Sequence, residues 1–478
     1  MAGIGFELKK LYDKSGLVNK VKAFTYSSLV TIGPMLCCIL LVSVVQWLLI
    51  DYEVSFVDRE LFLACVTYAF MFSYIATNLL NMFVTRAFSD FIYQGYYDAL
   101  LSTYHGSIKV NFLIGGVPAV IFLLLTDLPL AAKVALFLLY MTLITLWTQT
   151  IFVSAMKDYR KVGIAFLVGA LLALLLVIGV LEVLEIRTVS AILFAIDIGF
   201  GVSAGMLFIQ IERFFKTGKS LPSFSFFGYL RKYPSLIAIG GLTALGLYSH
   251  QMLQWAGSAG RLVGNTFWMA PEYDIAVFYA FISAIPTLIM FVVSLETVFY
   301  DKFRGYYDAI LTRGSITDIN EAKKGIYHVI VQQLTLIMGV QFFFSIMAVA
   351  LGIRFLPFIG FTSAQIDVYN ILVMGFFSYI IYSVLSLVLL YFDDRKGVLW
   401  LAAAFLVLNV GFSTLSVILG DQGFSFFMAS FLTLLLTLWR LIYLLSNLDY
   451  FTFSAQPLVA KEYDNKYTRM LARSKEEE

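Results

Sequence analysis

The sequence predicts an all-α polytopic membrane protein of about twelve transmembrane helices, arranged as two parallel six-helix repeats around a central cavity. Three observations carry that prediction. Of the 478 residues 60% are hydrophobic and only 13% charged, apolar runs near 20 residues recur along the chain, and one heptapeptide occurs twice.

Taken in order, runs long enough to cross a bilayer fall near 24–50, 61–85, 108–126, 130–155, 162–184, 188–211, 233–255, 275–298, 327–351, 366–391, 398–419 and 423–445. The first contains Gly33-Pro34, where a missing backbone donor would tilt or break a helix. The even number places both termini on one side. Of the 33 lysines and arginines, 28 fall in the segments that share that side and 5 in the others. Cytoplasmic segments retain positive charge during insertion, so both termini are predicted cytoplasmic.

The segments between divide the chain into a cytoplasmic interfacial segment 1–23, an N-terminal six-helix bundle 24–211, a basic linker 212–232, a C-terminal six-helix bundle 233–445 and a cytoplasmic tail 446–478. The opening segment is basic and amphipathic with no cleavage site, which predicts an uncleaved interfacial helix. The polar tail predicts partial disorder. Cys37, Cys38 and Cys65 all lie in the first two spans and read as apolar packing residues.

"GYYDALL" (Gly95 to Leu101) returns as "GYYDAIL" (Gly305 to Leu311), 210 positions later. Six predicted spans separate the copies, so both face the cytoplasm. Upstream, Ser73, Ile75 and Thr77 recur as Ser283, Ile285 and Thr287 at the same offset, and "YSSLVTIG" (Tyr26 to Gly33) matches "YPSLIAIG" (Tyr233 to Gly240) at offset 207. Spans one and two thus correspond to seven and eight in the same orientation, a parallel six-plus-six repeat. Such halves suit alternating access, although a duplication also simply records how a large bundle arose.

The opening "MAGIGFELKKL", the Gly33-Pro34 pair and the GYYDAL-type segment after span two resemble the PelG family of Pel exopolysaccharide transporters, within the multidrug/oligosaccharidyl-lipid/polysaccharide flippase superfamily. The resemblance implies a fold of two six-helix bundles around a cleft. It also implies export of an N-acetylhexosamine-rich polymer across the bacterial cytoplasmic membrane, in association with a PelF-like cytoplasmic glycosyltransferase, a PelD-like cyclic di-GMP receptor and a PelE-like membrane subunit. Alternatives are a lipid-linked oligosaccharide flippase, a drug antiporter, disfavoured because the first half has no cluster of deep acids, and a non-conducting scaffold for a synthase.

On span two, Thr67, Tyr74, Asn78, Asn81 and Thr85 fall within about 60 degrees of one another on a helix. Uncharged amides and hydroxyls there could line a hydrated sugar route or bind neighbouring helices. Their counterparts in span eight, Val277, Ala284, Leu288, Phe291 and Leu295, are apolar. Arg86 and Glu296 occupy equivalent, oppositely charged positions and read as a cytoplasmic gate or as two charges reaching the interface separately. Asp197 is the ionisable residue deepest in any predicted span, about 14 Å from the outer end. It reads as a coupling residue, a contact for amino groups of the substrate, or a packing carboxyl.

Tyr96, Tyr97, Tyr306 and Tyr307 sit just beyond spans, where tyrosine anchors in the interface or stacks on sugar rings at a cytoplasmic mouth. The basic loops 212–232 and 300–326 are topology signals that could also dock a synthase. His105, His250 and His328 are scattered, with no metal-ligand spacing and no phosphate-binding loop, so neither catalysis, a cofactor, a metal nor nucleic-acid binding is expected.

Overall fold

The computed structural model describes residues 17–156, 159–215, 223–294, 298–312, 314–420 and 422–454. Among them, twelve helices are long and apolar enough to cross a membrane. The expected interfacial helix before residue 17, the centre of the basic linker and the end of the tail lie outside the described residues.

Helix α1, Leu17–Asp51, runs through Pro34 without interruption. Ser55 then caps α2, Phe56–Gln94, by accepting the backbone N–H of Asp58. At 39 residues α2 reaches about 58 Å, roughly twice a hydrocarbon core. Four further helices follow: α3 Asp98–Leu124, α4 Leu130–Ala155, α5 Tyr159–Ile178 and α6 Val189–Phe214. A short 3-10 turn at Ser225–Tyr229 precedes α7, Pro234–Trp255. Next comes a β-hairpin, Arg261–Val263 paired antiparallel with Phe267–Met269. Three residues, Gly264 to Thr266, link the strands; Gly264 and Asn265 have φ of 55° and 51°, and the Thr266 N–H donates to the Val263 carbonyl at 3.1 Å, so the left-handed pair sits at the centre of a tight turn.

The eighth predicted span is two helices, α8 Pro271–Ile282 and α9 Ile285–Ser294. Beyond it come α10 Tyr300–Leu311, α11 Ile316–Phe355, α12 Ser363–Tyr391, α13 Arg395–Leu419, α14 Phe424–Ser446 and the short α15 Leu448–Ser454. A capping box between Ser315 and Asp318 starts α11, which at 40 residues is, like α2, far longer than the 25-residue span read from the sequence. Hydropathy registers only the stretch that lipid would cover. The polar turns before and after it remain helical because caps and neighbouring helices satisfy them.

The chain divides into two compact units. The first holds Gly33–Tyr248 with Gly260–Met269; the second holds the described parts of Met1–Ile32, Ser249–Ala259 and Ala270–Gln456. In the first unit the hairpin is fixed to α2 by the Arg261–Glu60 ion pair and by the Tyr68 hydroxyl, which donates to the Trp268 carbonyl at 2.8 Å. In the second, α12 is the most enclosed of the candidate spans. Arg440 on α14 clasps Asp394, the N-cap of α13, through two bonds of 2.7 and 2.8 Å. That carboxylate also takes the N–H of Gly397, so a buried ion is paired and fully bonded. The start of the predicted tail is α15, tied to α11 by the Lys323–Asp449 ion pair.

Candidate functional site

Between Leu61 and Thr85 α2 carries no charged residue, and the polar positions on it meet different surroundings. Asn78 is buried, and its amide donates to the Gly240 carbonyl on α7 at 3.3 Å. The backbones approach so closely that a Cβ on Gly240 would lie 2.1 Å from the Asn78 carbonyl oxygen, which is why this copy of the eight-residue repeat ends in glycine. Tyr74 is half-buried with its ring edge-on to Tyr248, centroids 5.9 Å apart. Thr67, Asn81 and Thr85 are half-buried, and the Thr85 hydroxyl donates to the Asn81 carbonyl at 2.7 Å. On another face the indole of Trp147 donates to Ser73 Oγ at 3.0 Å, joining α4 to α2.

Asp197 on α6 is half-buried and accepts a 2.7 Å bond from the Thr142 hydroxyl of α4. About two turns along α4, Gln149, fully buried, donates to Tyr104 Oη of α3 and to the Ala204 carbonyl of α6, both at 3.0 Å, while its own carbonyl oxygen has no partner among the described residues. Two polar bonds, about two turns apart, thus cross the otherwise largely apolar interface of α4 and α6.

Arg86 lies beside Asp90, one turn on, at 3.3 Å, and its guanidinium stands over the Tyr233 ring at 5.2 Å. Asp90 also accepts from the Tyr233 hydroxyl at 2.8 Å and faces Lys232 at 3.4 Å. Tyr229, stacked on Tyr233, donates to Gln94. Burial pushes the Tyr229 hydroxyl up to about 12, with the Asp90 charge adding to the effect. Arg86 and Asp90 of α2 thus meet Lys232 and Tyr229 of the linker and Tyr233 just after it. Glu296 lies outside the described residues.

A family profile decides what kind of protein this is: the PelG profile, described as "Putative exopolysaccharide Exporter (EPS-E)", matches residues 1–453. The chain belongs to the PelG family. A search of curated proteins finds no match. Among solved structures, the outward-facing form of a multidrug resistance MATE family transporter of the MOP superfamily is similar at TM-score 0.61 and 13% identity, covering 94% of this chain and all of that one. An inward-facing form matches at 0.56 and 12%, covering 94% and 98%. The Vibrio cholerae MATE transporter VcmN in its bent form matches at 0.58 and 10%, covering 94% and 99%. These likenesses establish a MATE-like transporter fold for this PelG-family chain.

The four tyrosines of the heptapeptides divide by environment. Tyr97 is exposed and Tyr96 half-buried against Phe91. Tyr306 is fully buried, within 3.4 Å of Thr452 and 3.5 Å of Asp449 on α15, and Tyr307 packs on Phe303 with centroids 4.8 Å apart. Burial raises the hydroxyl pKa of both Tyr306 and Tyr307. In the second copy, then, one tyrosine joins α10 to the tail helix.

Several bonded residues went unread in the sequence. Asp90 was legible as the carboxylate four places after Arg86. Thr142, Gln149, His250 and Asp274 had no local signal, because their partners lie on other helices.

Proposed function

We propose that this PelG-family protein exports an N-acetylhexosamine-rich exopolysaccharide across the bacterial cytoplasmic membrane. Both termini are cytoplasmic, and the polymer comes from a PelF-like cytoplasmic glycosyltransferase with PelD-like and PelE-like membrane partners. The family match supports export and the fold supports a transporter.

The observation that carries the substrate class is the α2 face, with hydroxyls and amides at Thr67, Tyr74, Asn81 and Thr85 and no charge for six turns. Such groups exchange hydrogen bonds with successive sugar hydroxyls without holding any one of them. Asn78 sets the spacing of α2 and α7 through its bond to Gly240. Asp197, steered by Thr142, offers a carboxylate to amino groups on a partly deacetylated polymer. At the cytoplasmic end Arg86, Tyr96 and Tyr97 form the mouth, with Tyr97 the exposed ring on which a sugar can stack.

The test is to place the protein and its glycosyltransferase in vesicles and measure how much newly made polymer is protected from an added glycosidase. Protected polymer is expected with the wild type, and severalfold less with Asn81→Leu and Thr67→Val combined. Polymer made at the normal rate but wholly digestible would show a scaffold for the synthase and end the export reading.

A further inference from the structure

The β-hairpin between α7 and α8 carries an exposed apolar surface that the export route described so far leaves unused. Its two faces differ sharply. Val263, Phe267 and Met269 are buried, whereas Leu262 and Trp268, directly opposite each other in the register, are 46% and 52% exposed. Side chains opposed across paired strands lie on one side of the sheet, so these two form a single patch.

The buried face is fixed to the outer part of α2. Phe267 packs edge-on to Tyr68 with centroids 4.8 Å apart and lies 6.0 Å from Phe122 of α3, and Leu61 lies against Gly264. The Arg261–Glu60 ion pair and the bond from the Tyr68 hydroxyl to the Trp268 carbonyl complete the attachment. That bond uses only the main chain of Trp268, so the backbone is held while the indole takes no part in holding it. All of these residues belong to the first unit.

What the patch faces follows from the backbone beneath it. Among the described residues the sheet has two strands, so each strand has an edge without a ladder partner, and lipid cannot satisfy such groups. The hairpin lies along α2 from Glu60 to Tyr68, a length of about 12 Å that enters the uncharged stretch of that helix. Unpaired strand edges at that depth need water beside them, and strand edges above it meet water in any case. A protein partner needs far more surface, roughly 800 Å² on each side, than two side chains offer. An indole held rigidly at a wet surface, with exposed Arg261 and Asn265 on the same hairpin, suits a pyranose ring. Its flat face covers the C–H face of the sugar, and the polar side chains meet the hydroxyls.

We propose that Leu262 and Trp268 form a sugar-stacking platform at the outer end of the route, on which an N-acetylhexosamine unit of the emerging polymer rests. The choice of ligand rests on the export reading. Tyr68, which holds the hairpin, adjoins Thr67, the outermost polar residue of the proposed sugar-lining face of α2. A unit stacked there hinders the polymer from slipping back.

Fluorine NMR of the full chain in lipid nanodiscs, with its six tryptophans replaced by 5-fluorotryptophan, tests the site directly. The Trp268 signal is the one missing from Trp268→Phe. It should be broadened by a water-soluble gadolinium chelate more than by a lipid spin-labelled in its acyl chain, and it should shift on addition of an N-acetylglucosamine tetrasaccharide. In vesicles with the glycosyltransferase, Trp268→Ala should lower protected polymer severalfold at an unchanged rate of synthesis, and Trp268→Tyr should keep most of it. Stronger broadening by the acyl-chain label would make Trp268 a membrane anchor and overturn the proposal. So would a Trp268 signal that ignores the tetrasaccharide, or a Trp268→Ala protein that exports like the wild type. A signal that shifts with the tetrasaccharide in a wild type that moves no polymer would remove export and leave the platform standing.

Discussion

The two copies of the repeated segment share sequence and differ in backbone. From Ser73 to Gly95 the first copy is one continuous helix, closed by Gly95 in the left-handed conformation at φ 77°. The second, from Ser283 to Gly305, breaks between Ile282 and Ile285 and carries its heptapeptide inside α10, where Gly305 is helical. Position 76 explains the first difference, because Ala76 corresponds to Pro286. Proline supplies no N–H for the carbonyl of Ile282 and its ring crowds that carbonyl; here the chain breaks and restarts with Pro286 in the first turn of α9, whereas α1 carries Pro34 without a break. Pro286 thus stands at a joint in the second unit where the first unit has an unbroken helix.

Exchanging these residues should give the largest effect. Ala76→Pro puts the same clash against the Phe72 carbonyl inside α2, where nothing has adapted to it, and should cost about 3 kcal/mol or more. Thermal unfolding of the solubilised protein, followed by size-exclusion, would show a large loss of folded material. Pro286→Ala should change stability by no more than about 1 kcal/mol, since the joint has its own bonds at Ser283 and Ala284. Equal losses in both variants would mean that proline is not what separates the copies.

A smaller effect tests how the joint is satisfied. Gln341 of α11 is fully buried and donates to the Ser283 carbonyl at 3.3 Å and to Ser345 at 3.1 Å. The equivalent Ser73 is instead met at its hydroxyl by Trp147. Gln341→Leu should cost about 1–3 kcal/mol because a buried carbonyl is left unpaired. The loss should shrink when Pro286→Ala is also present, if the healed helix takes that carbonyl itself. Strictly additive losses in the double variant would separate Gln341 from the joint.

These differences mark what could be read in advance. Twelve spans and the repeat were legible because lipid demands long apolar runs and duplication leaves matched offsets. The joint at Pro286 was not, because hydropathy sums residues and is blind to one missing N–H. The helical overhangs of α2 and α11 escaped for the same reason, their polar turns being held by caps such as Ser315 and Asp318. At the candidate site, the period of α2 displayed Asn78 but could not show that Gly240, far along the chain, is its partner. His250 looked scattered because Tyr273 reaches it only once α7 and α8 fold back beside each other.

The smallest predicted effects differ in sign, and that makes them the sharpest comparison. Gly95 and Gly305 open identical pentapeptides, "GYYDA", and at neither does any atom beyond the adjoining backbone lie within 4 Å of where a Cβ would go. Space therefore cannot distinguish them; only backbone conformation can. At Gly95, with φ 77°, a Cβ crowds the chain's own carbonyl, so Gly95→Ala should destabilise by about 1 kcal/mol and loosen the turn between α2 and α3. At Gly305, inside α10, alanine removes only the entropy glycine spends in a helix, so Gly305→Ala should stabilise by up to about 1 kcal/mol. Unfolding midpoints of the two single variants decide it. Shifts of the same sign would require both heptapeptides to share one backbone, and the difference between the copies would then reduce to Pro286 alone.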